Sequence, residues 1–158
     1  MTEKEKIFFE KYKDKMSKII EKKKRYYFNI KNEDLREIAD YLFNKMKCRL
    51  SICTATEIYD GLEVLYHFTD DTTGTYYNPR VKTNLENPEI NSITPILEGA
   101  NWIEREMYDL FGIKFKGHPD LKKLLTINSP EFSKDDHPMR FKRNHKAKGE
   151  RQKVKGKR

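Results

Sequence analysis

Between Leu35 and Phe68 the apolar residues change period. Leu35, Ile38, Ala39, Leu42, Phe43 and Met46 recur at three- and four-residue steps. That stripe predicts a helix starting near Asn32, with one face for the core. After Lys47 the step falls to two. Leu50, Ile52 and Thr54 alternate with Ser51, Cys53 and Ala55, and Leu62, Val64, Tyr66 and Phe68 with Glu63, Leu65 and His67. A helix and half-buried strands side by side require a sheet with helices packed on it. The expected fold is α+β: one domain, an antiparallel or mixed sheet of four or five strands, and a basic extended C-terminal tail.

The remaining elements follow from local signals. Thr2 and Glu5 make a capping box, and Ile7, Phe8, Tyr12, Met16, Ile19 and Ile20 lie at helical spacing. Residues 1–25 are therefore expected to be a basic amphipathic helix ending near Lys24. Tyr26 to Ile30 has strand character. Asp60-Gly61 marks a hairpin, because both residues tolerate positive φ. Tyr76 to Asn84 is a further strand in which Pro79 belongs at an edge or at the start. Residues 86–95 read as loop. Asn101 and Glu104 resemble a capping box opening a third helix, which Gly112 closes in the left-handed conformation.

Charge is distributed unevenly. The chain of 158 residues carries +8 overall, made of +5 over residues 1–25, −6 over 26–139 and +9 over 140–158. The last segment holds almost no apolar residue and is expected to order only against a partner. No stretch approaches the roughly 18 apolar residues of a membrane span, so a transmembrane or secreted chain is not expected.

The residues contain no complete catalytic constellation. The seven glycines form no phosphate-binding loop. Cys48 and Cys53 lack a second pair, and on one strand they would point to opposite faces, so free thiols are favoured over a zinc site. His67 reads as a sheet residue. His118 and His137 precede prolines, and with Asp120, Asp135 and Asp136 they could hold a metal, although turn architecture explains them at least as well. Glu104 and Glu106 lie about 200° apart on a helix and cannot act as one carboxylate pair. Arg105 and Asp109 are i,i+4 partners. A helix that combines these charges with Trp102, Met107, Tyr108, Leu110 and Phe111 is an interface candidate.

At this point the pattern is specific. Glu104-Arg105-Glu106-x-x-Asp109-Leu110-Phe111, followed by His118 and by Lys122-x-Leu124, resembles the signature of the complex I 30 kDa subunit family. Phe115 to Leu121, Gly99 to Trp102, Leu62 to Phe68, Val81 to Thr83 and Ser92 to Thr94 extend the likeness. The family includes the C subunit of NADH–quinone oxidoreductases and its counterpart in energy-converting membrane-bound [NiFe] hydrogenases and related ferredoxin-driven complexes. The resemblance implies that residues 26–139 form a cofactor-free domain on the cytoplasmic face of a membrane-bound complex. Its partners would be the large quinone- or nickel-site subunit and the iron–sulfur subunits, with the membrane arm reached indirectly. Iron–sulfur clusters and, in the hydrogenase case, NiFe would lie in those partners. Trp102, Glu104, Arg105, Glu106, Tyr108, Asp109, Gly117, His118, Pro119, Asp120 and Lys122 are the motif and interface residues it implies. Arg140, Lys142 and Arg143 are assigned to a tail interface. The short lysine-rich end favours the compact hydrogenase-type complexes over the C subunit of a quinone enzyme. The alternative from another class is a basic RNA-binding protein, since the tail lysines could neutralise phosphates. The acidic body and the lack of a nucleic-acid motif argue against it, and no nucleic-acid partner is expected.

Overall fold

The computed structural model describes residues 2–132 and 136–141. Asp135, Lys142, Arg143 and the rest of the expected tail lie outside them. The elements, in order, are α1 (Glu3–Tyr12), β1 (Met16–Lys22), β2 (Arg25–Ile30), α2 (Leu35–Asp40), β3 (Arg49–Ile58), β4 (Gly61–Asp70), β5 (Thr75–Thr83), β6 (Glu89–Asn91), α3 (Asn101–Phe111) and β7 (Lys114–Lys116). The main sheet has the order β1-β2-β5-β4-β3. The β1–β2 hairpin and the β3–β4–β5 meander meet along a parallel β2–β5 seam. The fold is thus α+β with a five-stranded mixed sheet, as expected. Strands β6 and β7 form a small parallel pair beside it.

One face of the sheet carries the core. Tyr26, Phe28, Leu62, Val64, Tyr66, Phe68, Tyr77 and Val81 are buried on it. Phe8 of α1 packs edge-on against Phe28 and Tyr77, with ring centroids 6.0 and 5.7 Å apart, and stacks on Tyr41. The stripe predicted from Leu35 to Met46 is helical. It widens to π winding over Tyr41–Lys45, which lets Met46 N–H bond the Tyr41 carbonyl.

Four expectations are corrected. The first helix stops at Tyr12, and Met16–Lys22 is a strand of the sheet. Met16, Ile19 and Ile20 suit either period, and pairing with β2 decides for the strand. Second, a bulge between Leu50 and Ile52 shifts the β3 register by one residue. Such a slip inverts the alternation. Cys53 and Glu57 are therefore buried, whereas Ile52 is exposed. Cys48, just before the strand, is buried too, so the two thiols do not lie on opposite faces.

Third, Pro79 stands inside central β5, opposite Phe28 on the parallel side. On the β4 side the ladder is interrupted there, and side chains bridge the gap. Across that gap His67 Nδ1 lies 2.7 Å from Asn78 Oδ1, and on the β2 side Asn78 Nδ2 donates to the Tyr26 carbonyl at 3.0 Å. Fourth, part of the segment read as loop is β6.

The β3–β4 hairpin forms where Asp60-Gly61 predicts it, but for another reason. Neither residue has positive φ. Tyr59 and Asp60 make the turn, and Gly61 begins β4 against Thr83. A Cβ on Gly61 would penetrate the Thr83 carbonyl oxygen, so the glycine permits close strand approach.

Candidate interface site

Helix α3 runs from Asn101 to Phe111 and ends on Gly112 at φ 73, as predicted. Its start differs from expectation. The N-cap is Ala100, and the Asn101 side chain caps nothing; its Oδ1 is buried with no hydrogen-bond partner among the described residues. A preceding 3-10 turn, Glu98–Ala100, already leads into the helix.

Glu104 is free of a capping role because it is fully buried and serves a neighbouring segment. It accepts from Ser92 Oγ at 2.5 Å, Ile93 N–H at 2.7 Å and Thr94 Oγ1 at 2.8 Å. Burial raises its carboxyl above the usual value, and these donors hold the rise in check. One turn on, Asp109 holds a second segment. Its carboxylate accepts the Leu124, Leu125 and Thr126 N–H groups at 3.1, 2.8 and 2.9 Å, and the Thr126 hydroxyl. Burial alone would push this carboxyl up. The Thr126, Leu125 and Leu124 donors together outweigh burial and lower it.

The expected Arg105–Asp109 ion pair does not form. Arg105 donates from Nε to the Lys122 carbonyl and from Nη2 to the Lys123 carbonyl, at 3.2 and 3.1 Å. Arginine takes the carbonyls and aspartate the N–H groups of the same stretch, 122–126. Each satisfies backbone that has no ladder partner, so a short irregular segment is fixed by one helix face. Arg105 also lies 5.8 Å from the Trp102 ring centre, close enough for a cation–π contact.

His118 completes the clasp. Its ring Nδ1 accepts the Asp120 N–H at 3.0 Å, so Nε2 carries the proton and faces the Asn101 carbonyl at 3.3 Å. Nε2 is also 3.9 Å from Glu104. Gly117 needs its φ of 81, and a side chain there would strike Arg36. Arg36 pins the ends of β6 and β7 by donating to the Ser92 and Lys116 carbonyls at 2.8 and 2.7 Å. Pro119, Asp120, Lys122 and Glu106 are exposed, and Asp120 and Lys122 pair at 2.7 Å.

The motif therefore divides. Glu104, Arg105, Asp109 and His118 hold the chain's own backbone. Outside them Trp102, Leu125 and Ile127 are 67%, 62% and 65% exposed. Tyr108 lines a cleft of about 210 Å³ with Lys114, Lys123, His137 and Arg140. His137 packs on Gly112 and bonds the Asp109 carbonyl at 3.1 Å. Among the described residues no group of three His, Cys, Asp or Glu gathers as a metal-ligand set. Burial pushes the Cys48 thiol up to about 12 and that of Cys53 well above its usual value, with Glu104 adding to the latter, which disfavours the thiolate a metal would need.

Arg140, assigned above to a partner-ordered tail, is part of the body. It is 7% exposed, donates to the Leu85 carbonyl at 2.9 Å and lies 3.4 Å from buried Glu57. A buried carboxylate in β3 draws the cation inward. Arg36, Glu57, Ser92 and Thr94 were not singled out as site residues from sequence. Two buried-side polar positions, Ser92 and Thr94, flanking apolar Ile93 were the available signal.

The chain matches the family model described as the respiratory-chain NADH dehydrogenase 30 kDa subunit over residues 28–149. It belongs to that family. Among the 30 kDa relatives, the C subunit of the NADH-quinone oxidoreductase of Azorhizobium caulinodans is 44% identical over 67% of this chain and 47% of its own length. A probable mitochondrial NADH-ubiquinone oxidoreductase 30.4 kDa subunit of Candida maltosa is 32% identical over 67% of this chain and 39% of its own. The chain thus spans half or less of these curated 30 kDa relatives. Among solved structures, a trypsin-resistant fragment of Nqo5 aligns with TM-score 0.58 and 25% identity, over 74% of this chain and 98% of the fragment. A chain of the archaeal membrane-bound sulfane sulfur reductase, a respiratory membrane complex, shares the fold at TM-score 0.72 and 18% identity, over 93% of this chain and 87% of that one.

Proposed function

We propose that this 30 kDa-family chain is a non-catalytic, cofactor-free subunit of a complex I-related membrane-bound oxidoreductase. It joins the large catalytic subunit to the iron–sulfur subunits. The observation that carries the reading is the clasp on α3. Its buried charges are occupied by backbone groups of 92–94 and 122–126, leaving them no role towards a substrate, and the segment they fix exposes Leu125 and Ile127, as the helix itself exposes Trp102. Exposed aromatic and aliphatic side chains on a rigid frame suit a protein interface. No helix among the described residues is long and apolar enough to cross a membrane; the proposal places its attachment through partners on the cytoplasmic face.

Within this class the reading favours a compact, ferredoxin-dependent complex of the energy-converting hydrogenase type over a quinone-reducing enzyme. That preference is the one the resemblance carries; the sulfane sulfur reductase chain, at 18% identity, contributes a likeness of fold alone. At 93% coverage that likeness must reach into the first 27 residues, which the family match leaves out.

The test is gentle purification of the tagged chain from membranes. A complex containing iron–sulfur clusters, with nickel in the hydrogenase case, is the expected result. Recombinant chain made alone should carry neither metal nor visible absorbance. Recovery of the native chain without neighbours, or stoichiometric metal in the isolated chain, would reject the proposal.

A further inference from the structure

Among the described residues, helices cover the five-stranded sheet on one face only. The aromatic contacts of α1 go to the face of Phe28, Tyr66 and Tyr77. The alternate residues point the other way: Ile20 and Lys22 on β1, Arg25 and Tyr27 on β2, Tyr76, Asn78, Arg80 and Lys82 on β5, Glu63, Leu65 and His67 on β4, and Ile52 and Thr54 on β3. These residues contact one another across the strands. Lys22 lies over the Tyr27 ring at 5.9 Å, Arg25 over Tyr76 at 5.6 Å, and His67 spans Asn78 and Thr54. Ile20 and Ile52 are 50% and 53% exposed at the two sides.

The charge on this face is one-sided. Lys22, Arg25, Arg80 and Lys82 stand against Glu63 and Asp60. Arg80 Nε is buried with no hydrogen bond among the described residues, and its carboxylate neighbour Glu63 is 3.7 Å away. Lys23 and Lys24 add two cations at the β1–β2 turn. We propose that this open sheet face docks an acidic protein surface, a second subunit on the opposite side of the domain from α3. This inference rests on the reading of the chain as an assembly subunit. Charge decides the occupant. The basic C-terminal segment and a second copy of the same face would both be repelled, whereas aspartates and glutamates would be drawn to the exposed cations Lys22, Arg25 and Lys82. The aliphatic Ile20, Leu65 and Ile52 and the central Glu63 favour a protein over a nucleic acid.

The experiment compares the native complex with the isolated full chain. Both are treated with a water-soluble acetylating reagent, and Lys22 and Lys82 are followed by mass spectrometry. Docking predicts about tenfold slower labelling of both lysines in the complex. A carbodiimide should join Lys22 or Lys82 to an Asp or Glu of one other subunit. The double neutralisation Arg25→Gln, Lys82→Gln concerns two exposed residues whose contacts with Tyr76 and Asp60 are surface contacts. It should shift the melting temperature of the isolated chain little and release the complex at lower salt. Equal labelling in a complex that contains the chain would overturn this inference and leave the proposed function standing. Links only to another copy, or protection lost on nuclease treatment, would also overturn it. A chain found in no complex would remove the proposed function itself.

Discussion

Asp109 and Glu104 sit five residues apart on one helix and answer to pH in opposite directions. The hydrogen bonds to Asp109 hold its carboxyl below the ordinary 3.8. Its contribution to stability is complete above that value and is lost as pH falls through the lowered folded pKa. Glu104 is raised above 4.5 by burial. The folded chain then binds the proton more tightly than the unfolded chain, so stability falls as pH rises from 4.5 through the raised value. Denaturant titrations should show the wild type gaining on Glu104→Gln as pH drops across that window. A constant difference would mean that Glu104 titrates normally. Asp109→Ala strands three N–H groups and should destabilise by about 3 kcal/mol at neutral pH, on the scale of breaking a buried charged network. Two glycines give a matched pair. Gly61→Ala meets the Thr83 carbonyl and should lose about 1–3 kcal/mol, as overpacked sites do. Gly99 has open space around its Cβ position, so Gly99→Ala should change the denaturation midpoint little. Equal losses at both sites would remove the close-approach account of Gly61.

At the scale of elements, the helical segment before β3 ends on Lys47 at φ 59, with Cys48 N–H bonding back to the Leu42 carbonyl at 2.9 Å. The left-handed conformation costs a residue with a Cβ about 1–2 kcal/mol. Lys47 is exposed, so Lys47→Gly should raise the thermal midpoint by a few degrees, the glycine's greater unfolded-state entropy offsetting part of the gain. A fall in midpoint would show that the lysine stem contributes more than its conformation removes. The α3 clasp predicts a different outcome for Arg105→Ala. Loss of the Lys122 and Lys123 contacts should loosen the segment that displays Leu125 and Ile127. The amount of assembled complex should then fall sharply while activity per assembled complex stays normal. Full assembly with lost turnover would give the motif a direct chemical role.

For the molecule as a whole, Arg140 marks the boundary between body and tail. It is held by Glu57 and the Leu85 carbonyl, and Phe141 N–H bonds Glu57 at 2.8 Å. Ending the chain after residue 143 should leave the melting temperature of the isolated chain almost unchanged and weaken assembly in a salt-sensitive way, the loss being greatest at low salt where the tail's charge is least screened. Ending it after residue 138 should lower the melting temperature, because it removes the buried Arg140 cation and the Phe141 N–H from Glu57. Equal melting temperatures would put the boundary elsewhere.

What the sequence determined by itself is what depends on neighbours along the chain. The 3.6-residue stripe of Leu35–Met46, the two-residue alternation of β4 and the Gly112 stop are local periodicities and conformations, and they specify an α+β sheet protein. The motif from Glu104 to Leu124 is legible because its residues lie in one continuous stretch, inside the residues that match the family model. Tertiary structure decided the rest. Met16–Lys22 is a strand because β2 lies beside it. The β3 bulge chooses which side of 52–57 is buried, and the gap in the β4–β5 ladder admits Pro79 inside the sheet. Arg105 and Asp109 bind backbone instead of each other because residues 122–126 arrive from elsewhere with unpaired N–H and C=O groups. A buried backbone group must find a partner wherever one is available, and which partner is available is a property of the folded chain.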